Sequence, residues 1–325
     1  MGLRWGYMGT GRIAEIVAKD FKHAGLHIQA VGSRNLDSAT AFASRHGISD
    51  VHGSYEELVK NPNVDIVYIS TLNHVHCDNA LLAINAGKHV LLEKPFTMNA
   101  AEARAIQEAA KAQKVFVLEA MWTRFLPTME SIFACIKEGM IGKPHTVLGD
   151  HSQYLPPEKS ARLWDPAHGG GALLDLGIYP ISFATRVLGI PSVIKAVGKI
   201  TGGVDEATSM VFGYENGSTA ALTTCCSVSG NNTATVMGTL GRIEIDKTFY
   251  QPTSFTVYDN NSEVLFNSER PVMQTTGREY QALEAERCIA AGLIESPIMT
   301  VTESVALMEI MDEVRRQIGL KWAHE

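Results

Sequence analysis

The feature that most constrains this chain is a turn near its start. Gly9-Thr10-Gly11-Arg12-Ile13-Ala14 reads G-x-G-x-x-A, directly after the apolar run Leu3 to Met8 and at the opening of a helical stretch. That context separates a dinucleotide fingerprint from a chance run of glycines. The first glycine permits the tight turn, and the second lets a pyrophosphate approach backbone N–H groups at a positive helix end. Any strand-to-helix turn favours glycine, so the motif gains its meaning from the pattern around it. With that pattern, Gly9, Thr10, Gly11, Arg12 and Ile13 are the expected cofactor-binding residues.

From Leu3 to Leu118, short apolar runs bounded by turn residues alternate with segments of helical period, the grammar of βαβ units and a doubly wound parallel sheet. Strands are expected at Arg4 to Met8, Ile28 to Ser33, Asp65 to Ser70, His89 to Leu92 and Val115 to Leu118, and Val51 adds a sixth. Ser54 and Glu57 form a capping box, and Gly47 and Gly87 stand where left-handed helix ends fall. Beyond Glu119 the grammar changes. Helices are expected near Pro127 and from Gly171 to Leu188, with a strand at Thr146 to Tyr154. Strands then follow at Ser192 to Ile200, Ala207 to Tyr214, Thr219 to Val228, Thr233 to Met237, Arg242 to Ile245 and Phe255 to Tyr258, with Asn216-Gly217 as a hairpin signal. Helices at Glu279 to Ala291 and Thr302 to Gln317 close an α+β domain built on a large, open, mostly antiparallel sheet. The expected division is residues 1–121 for the cofactor and 122–325 for substrate and oligomerisation; at 325 residues, two cores are the default.

The balance of 28 basic and 35 acidic residues, a net charge of -7, repels nucleic acid and anionic membrane surfaces. No apolar run is read as reaching the ~20 residues of a membrane span, and no signal peptide opens the chain. Five cysteines without a CxxC pair fit a reducing cytoplasm.

NAD sites usually end the second strand with an acid that holds the ribose 2′-hydroxyl. Here the strand ends Gly32-Ser33-Arg34-Asn35. Arg34 can fork onto a phosphate and Ser33 can donate to it, so NADP is expected over NAD. Asn35 or Asp37 capping the next helix, with Arg34 a solvated charge, is the alternative. Thr71, Leu72, Asn73 and His76 follow the fourth strand, at the carboxyl edge where such sheets bind ligands. His74, His76 and Cys77 lack a further ligand at metal spacing, so no metal is expected.

Glu93-Lys94-Pro95 ends the next strand at the same edge. A lysine of ordinary pKa ~10.4 is a poor base, but burial beside an oxidised, positive nicotinamide favours the neutral amine, which could take a proton. An exposed Glu93–Lys94 pair is the alternative. Further on, Asp175 and Tyr179 are four residues apart, on one helix face, and Trp122 stands at the expected domain junction.

The ordered set of strand-GxGxxA, T-x-N-x-x-H and Glu-Lys-Pro resembles the glucose-fructose oxidoreductase, inositol dehydrogenase and MocA family, over the whole chain. The resemblance implies a Rossmann domain followed by a domain whose open sheet mediates dimerisation. It makes Lys94 the catalytic lysine with a cis bond to Pro95, and Glu93 and Lys94 part of the cofactor site. His168-Gly-Gly-Gly-Ala-Leu-Leu-Asp175-Leu-Gly-Ile-Tyr179 is similar to the family's glycine-rich entry to D-x-x-x-H, with Tyr179 in place of the histidine. That departure, with Glu119 to Phe125 and Arg162, is similar to the branch of dimeric dihydrodiol dehydrogenases, which also oxidise D-xylose with NADP. It implies Lys94, Tyr179 and Asp175 as catalytic residues, Trp122 as a wall against nicotinamide or substrate, and Arg162, Asp175 and Tyr179 as substrate-facing. The implied reaction is hydride transfer between NADP and a sugar or diol in a homodimer or larger homo-oligomer. A redox-neutral glycosidase and a non-catalytic NADP-binding regulator are the other classes open to this fold.

Overall fold

The computed structural model describes residues 2–322. The chain forms two compact units, Met1–Phe125 with Gln274–Val305, and Leu126–Met273 with Ala306–Glu325.

In the first unit, six strands alternate with helices. These are β1 (Arg4–Met8), α1 (Arg12–His23), β2 (His27–Gly32), α2 (Leu36–His46), β3 (Asp50–His52), α3 (Tyr55–Lys60), β4 (Ile66–Ile69), α4 (His76–Asn85), β5 (His89–Glu93), α5 (Ala100–Gln113) and β6 (Val117–Ala120). All pairings are parallel, in the order β3-β2-β1-β4-β5-β6. Strand order therefore reverses between β1 and β4, and the carboxyl edge there is where a doubly wound sheet takes a ligand. The strands bury both faces, with Tyr7 and Tyr68 edge to face at 4.9 Å and Phe21 against Trp5 at 4.8 Å. Ser54 accepts from Glu57 N at 3.1 Å to start α3, and Asn99 accepts from Glu102 N at 3.0 Å to start α5.

Beyond the single division near residue 121, the segment Gln274–Val305 returns to this first unit. It contains α8 (Glu279–Ala290), which buries Ala282, Ala285 and Cys288 and whose Glu286 accepts from the Trp5 indole at 2.9 Å.

The second unit holds α6 (Pro127–Lys137), β7 (Pro144–Ser152) and a π-helical turn, Leu173–Gly177, leading into α7 (Ile178–Leu188). Then come β8 (Val193–Thr201), β9 (Val204–Gly213), β10 (Thr219–Cys225), β11 (Ala234–Gly238), β12 (Gly241–Ile245), β13 (Phe255–Asp259) and β14 (Val264–Ser268). The eight-stranded order is β14-β13-β12-β11-β7-β10-β9-β8, antiparallel except for β7 beside β10. Helix α9 (Val301–Ile318) ends here, and Gln317 bonds Ile194 O at 2.7 Å and Ala196 N at 2.8 Å, occupying backbone groups of the edge strand. α7 packs on β7 and β10, burying Val147, Ala220 and Leu222, whereas Leu148, Ala221 and Val211 line the opposite, open face. By length and composition Pro166–Leu188 does reach the span of a bilayer, contrary to the sequence expectation, but 78% of its apolar window is buried, as in a core helix.

Candidate functional site

In the first unit, the glycine turn at the end of β1 has the shape its sequence calls for. Gly9 has φ 107°, and a Cβ there would meet Ser70 O and Oγ at 3.1 Å, so only glycine fits. Gly11 caps α1 without a side-chain bond, and a Cβ on it would meet nothing within 4 Å. The first turn of α1 thus starts without a side-chain cap and with open space beside Gly11, next to Thr10, Arg12 and Ile13. At the end of β2, Asn35 does cap α2, accepting from Ser38 N at 2.9 Å, and Ser33 Oγ accepts from Asn35 N at 3.3 Å. Arg34 is exposed, and its charge lies close enough to the Tyr55 hydroxyl to oppose the rise that burial gives the phenol's pKa.

At the β4 edge, Leu72 leads into a short 3-10 turn, Asn73–Val75, and Thr71 Oγ1 accepts from Asn79 at 3.0 Å. His76 is 1% exposed, with Nδ1 on Pro95 O at 2.8 Å and Nε2 on Thr71 O at 3.2 Å. It ties the Thr71 loop to the loop that carries Lys94.

That loop is braced on three sides. Glu93, buried at the end of β5, accepts from Tyr68 Oη at 2.6 Å and from Lys94 N at 3.3 Å. Its burial removes the reading of Glu93–Lys94 as an exposed surface pair, and lifts its carboxyl above the usual range, with Tyr68, Arg278 and Lys94 opposing. The Lys94–Pro95 peptide is cis, Pro95 O faces His76, and Phe96 N donates to Glu119 Oε1 at 3.1 Å. Trp122 is 3% exposed, with the Arg278 guanidinium 4.0 Å over its ring. Tyr68 and Arg278 carry no sequence signal, and Glu119 enters the sequence reading only as the first residue of the segment Glu119 to Phe125. Arg278 comes from the returning segment, far along the chain from every motif.

Burial pushes the Glu119 carboxyl to about 7. An unfolded glutamate titrates near ~4.3, so between about pH 4 and pH 7 the folded protein keeps a proton that the unfolded chain has released. The stability this group contributes is full below that window and is lost as pH rises through it. Glu119→Gln keeps an acceptor for Phe96 N and is expected to flatten the slope. Urea midpoints at about pH 5 and about pH 7.5 check it, since the wild type should lose more between them than the variant.

In the second unit, the glycine-rich entry is packed against a buried acid. Gly171 has φ 106°, and a Cβ on it would collide with Asp205 Oδ1. Asp205, raised to about 7 by burial, accepts from Leu173 N at 2.8 Å and Thr208 Oγ1 at 3.0 Å, and so anchors the start of the π-helical turn. Asp175 is bonded by Arg162 at 2.9 Å, which brings two expected substrate-facing residues into one ion pair. Tyr179 is 7% exposed, with His151 edge to face at 4.9 Å and Tyr250 at 5.3 Å. His151 and Tyr250 carry no sequence signal, since they lie in a strand and a loop outside any motif. Among the described residues no cluster of three or more His, Cys, Asp or Glu is placed to hold a metal.

Comparison with known proteins agrees with this arrangement. Residues 3–121 match the oxidoreductase family with an NAD-binding Rossmann fold, and residues 130–244 match the GFO/IDH/MocA C-terminal domain. The chain is 37% identical over 336 residues to trans-1,2-dihydrobenzene-1,2-diol dehydrogenase of Mus musculus, covering 100% of this chain and 99% of that one. Among solved structures it is similar to the aldose-aldose oxidoreductase of Caulobacter crescentus, solved with glycerol, with 25% identity, a TM-score of 0.88 and 98% of each chain covered. It is also similar to a 3-ketoreductase of Actinomadura kijaniata, solved with NADP and TDP-benzene, with 25% identity, a TM-score of 0.84 and 98% of each chain covered.

Proposed function

Because this chain belongs to the GFO/IDH/MocA oxidoreductase family, we propose that it is an NADP-dependent dehydrogenase that oxidises one hydroxyl of a sugar or a vicinal diol, D-xylose and trans-dihydrodiols being the leading substrates. The observation that carries this reading is Lys94, fixed by the braces around Glu93, Pro95 and Phe96 at the same sheet edge as the glycine turn. The Mus musculus relative supports the diol, and the Caulobacter crescentus one the sugar.

Gly9 to Ile13 would hold the pyrophosphate, Arg34 and Ser33 the 2′-phosphate, and the Thr71 to Asn73 loop, Glu93 and Trp122 the nicotinamide half. When bound, NADP supplies the hydride acceptor. The chain's own work is proton handling and orientation. Lys94 takes the proton of the reacting hydroxyl, Tyr179 positions its oxygen, and Asp175, steadied by Arg162, accepts a hydrogen bond from the neighbouring hydroxyl. Incubating the protein with pentoses, hexoses, inositols and diols, each with NADP or NAD, and following the reduced-nicotinamide band tests the reading. NADP reduction with D-xylose or a dihydrodiol is expected, and silence across the panel would refute it.

We place the enzyme in the cytoplasm, where its five free cysteines stay reduced, and as at least a dimer. The open face of the second sheet carries Leu148, Val197 and Val211, 42%, 72% and 53% exposed, around a groove of about 670 Å³. A contiguous apolar surface of this kind is what a second copy covers. Light scattering at micromolar concentration should give a multiple of 35.3 kDa, and Val211→Glu should shift it to the monomer. A wild-type monomer would contradict the assignment.

A further inference from the structure

We propose that His151 is a positioning residue for Tyr179, locking the helical turn and the phenol ring through a hydrogen-bond chain that runs from the Leu176 carbonyl to Tyr250. The inference rests on the reading of Tyr179 as the group that holds the substrate oxygen.

The hydrogen-bond chain begins at the Leu176 carbonyl. In an α-helix the carbonyl of Leu176 accepts from the N–H four residues on, and residue 180 is a proline without one. That carbonyl lies in the π-helical turn, where it accepts from a backbone N–H at the end of the turn and, in addition, from His151 Nδ1 at 3.0 Å. With its proton on Nδ1, the imidazole presents Nε2 as an acceptor to the Gln153 amide at 2.7 Å, and the same amide donates to Tyr250 Oη at 3.1 Å. Tyr250 in turn stacks on the imidazole at 3.9 Å and 24°.

His151 is 1% exposed and so has no freedom of its own. It joins strand β7, which carries it, to the turn that carries Asp175, and it lays its ring across Tyr179 at 71°. The tautomer is set by the Leu176 carbonyl, the ring plane by Tyr250, and the Tyr179 ring by both. A phenol held this way keeps its hydroxyl at one place, and a displacement of about 1 Å at such a group costs on the order of 10²-fold in rate.

The test is a double-mutant cycle of His151→Phe, which keeps a flat ring but removes both hydrogen bonds, with Tyr179→Phe. His151→Phe alone should lower kcat about 10²-fold with little change in KM, and should add little once Tyr179→Phe is present. A defect in Tyr179→Phe with an equal further loss from His151→Phe overturns the proposal alone. Full turnover in Tyr179→Phe removes the reading of Tyr179 and the proposal with it. Should His151→Phe fail to fold, Pro180→Ala decides the matter, because it adds an N–H four residues beyond Leu176 that competes with His151 for the carbonyl without removing the imidazole. That variant should hold or raise the thermal midpoint while kcat falls roughly tenfold, the worth of one hydrogen bond. Unchanged turnover there overturns the proposal.

Discussion

Lys94→Met should keep the fold and NADP affinity while kcat falls ~10²- to 10⁴-fold, the range that a positioned general base contributes. Methionine retains the aliphatic bulk and removes only the amine. The bracing groups around position 94 act on backbone atoms, Glu93 on Lys94 N, His76 on Pro95 O and Glu119 on Phe96 N, so the loop should stay where it is. A loss confined to kcat, with the substrate constant changed less, marks an interaction made in the transition state. In the oxidation direction, wild-type kcat/KM should rise with pH through one ionisation, and that step should vanish in Lys94→Met. If the step vanishes in Tyr179→Phe and survives in Lys94→Met, the tyrosine carries the proton and the lysine only orients it. Near-normal turnover in both variants would leave an NADP-binding regulator as the better account.

Arg34→Ala should weaken NADP by roughly ten- to a hundredfold and leave NAD nearly untouched, since a charge-assisted bond to phosphate contributes ~1.5 to 3 kcal/mol. Only the 2′-phosphate distinguishes the two cofactors, and Arg34 stands exposed just after the end of β2. Fluorescence titration with both cofactors checks it. Equal losses would show that Arg34 acts on something common to both, and the NADP preference would fall. The cap of α2 belongs to Asn35 and is not disturbed by the change.

What the sequence made legible follows from how local each signal is. Strands β1, β2, β4 and β5 are apolar runs closed by turn residues, and all are found within a residue or so of their expected bounds. β6 runs Val117–Ala120, two residues beyond Val115 to Leu118; Phe116 gives its carbonyl to Val90 N, but its own N–H is taken by the His89 ring, and the register with β5 starts at Val117. β14 went unread because Val264–Ser268 is an exposed edge without an alternating pattern. The glycine turn, Glu93-Lys94-Pro95 and the Asp175–Tyr179 turn are contiguous motifs and could be read directly. Their supports could not. Tyr68 meets Glu93 across neighbouring strands, and Arg278 reaches Trp122 from the returning segment. His151 bonds the carbonyl of Leu176, which lies on another element of the second unit. Such partners are chosen by tertiary packing, and nothing in their own neighbourhoods announces them.

The central claim is that hydride passes between a carbinol carbon and the nicotinamide, and a deuterium label tests it most directly. D-xylose bearing deuterium at C1, or a trans-dihydrodiol labelled at a carbinol carbon, is turned over with NADP, and the reduced cofactor is examined by mass spectrometry and NMR. The account predicts one deuterium per turnover at C4 of the nicotinamide, on one face, and a slowed rate with labelled substrate wherever hydride transfer limits it. Turnover that leaves the label in the sugar or diol with no net reduced cofactor, or NADP binding with no transfer from any substrate of either class, would contradict it.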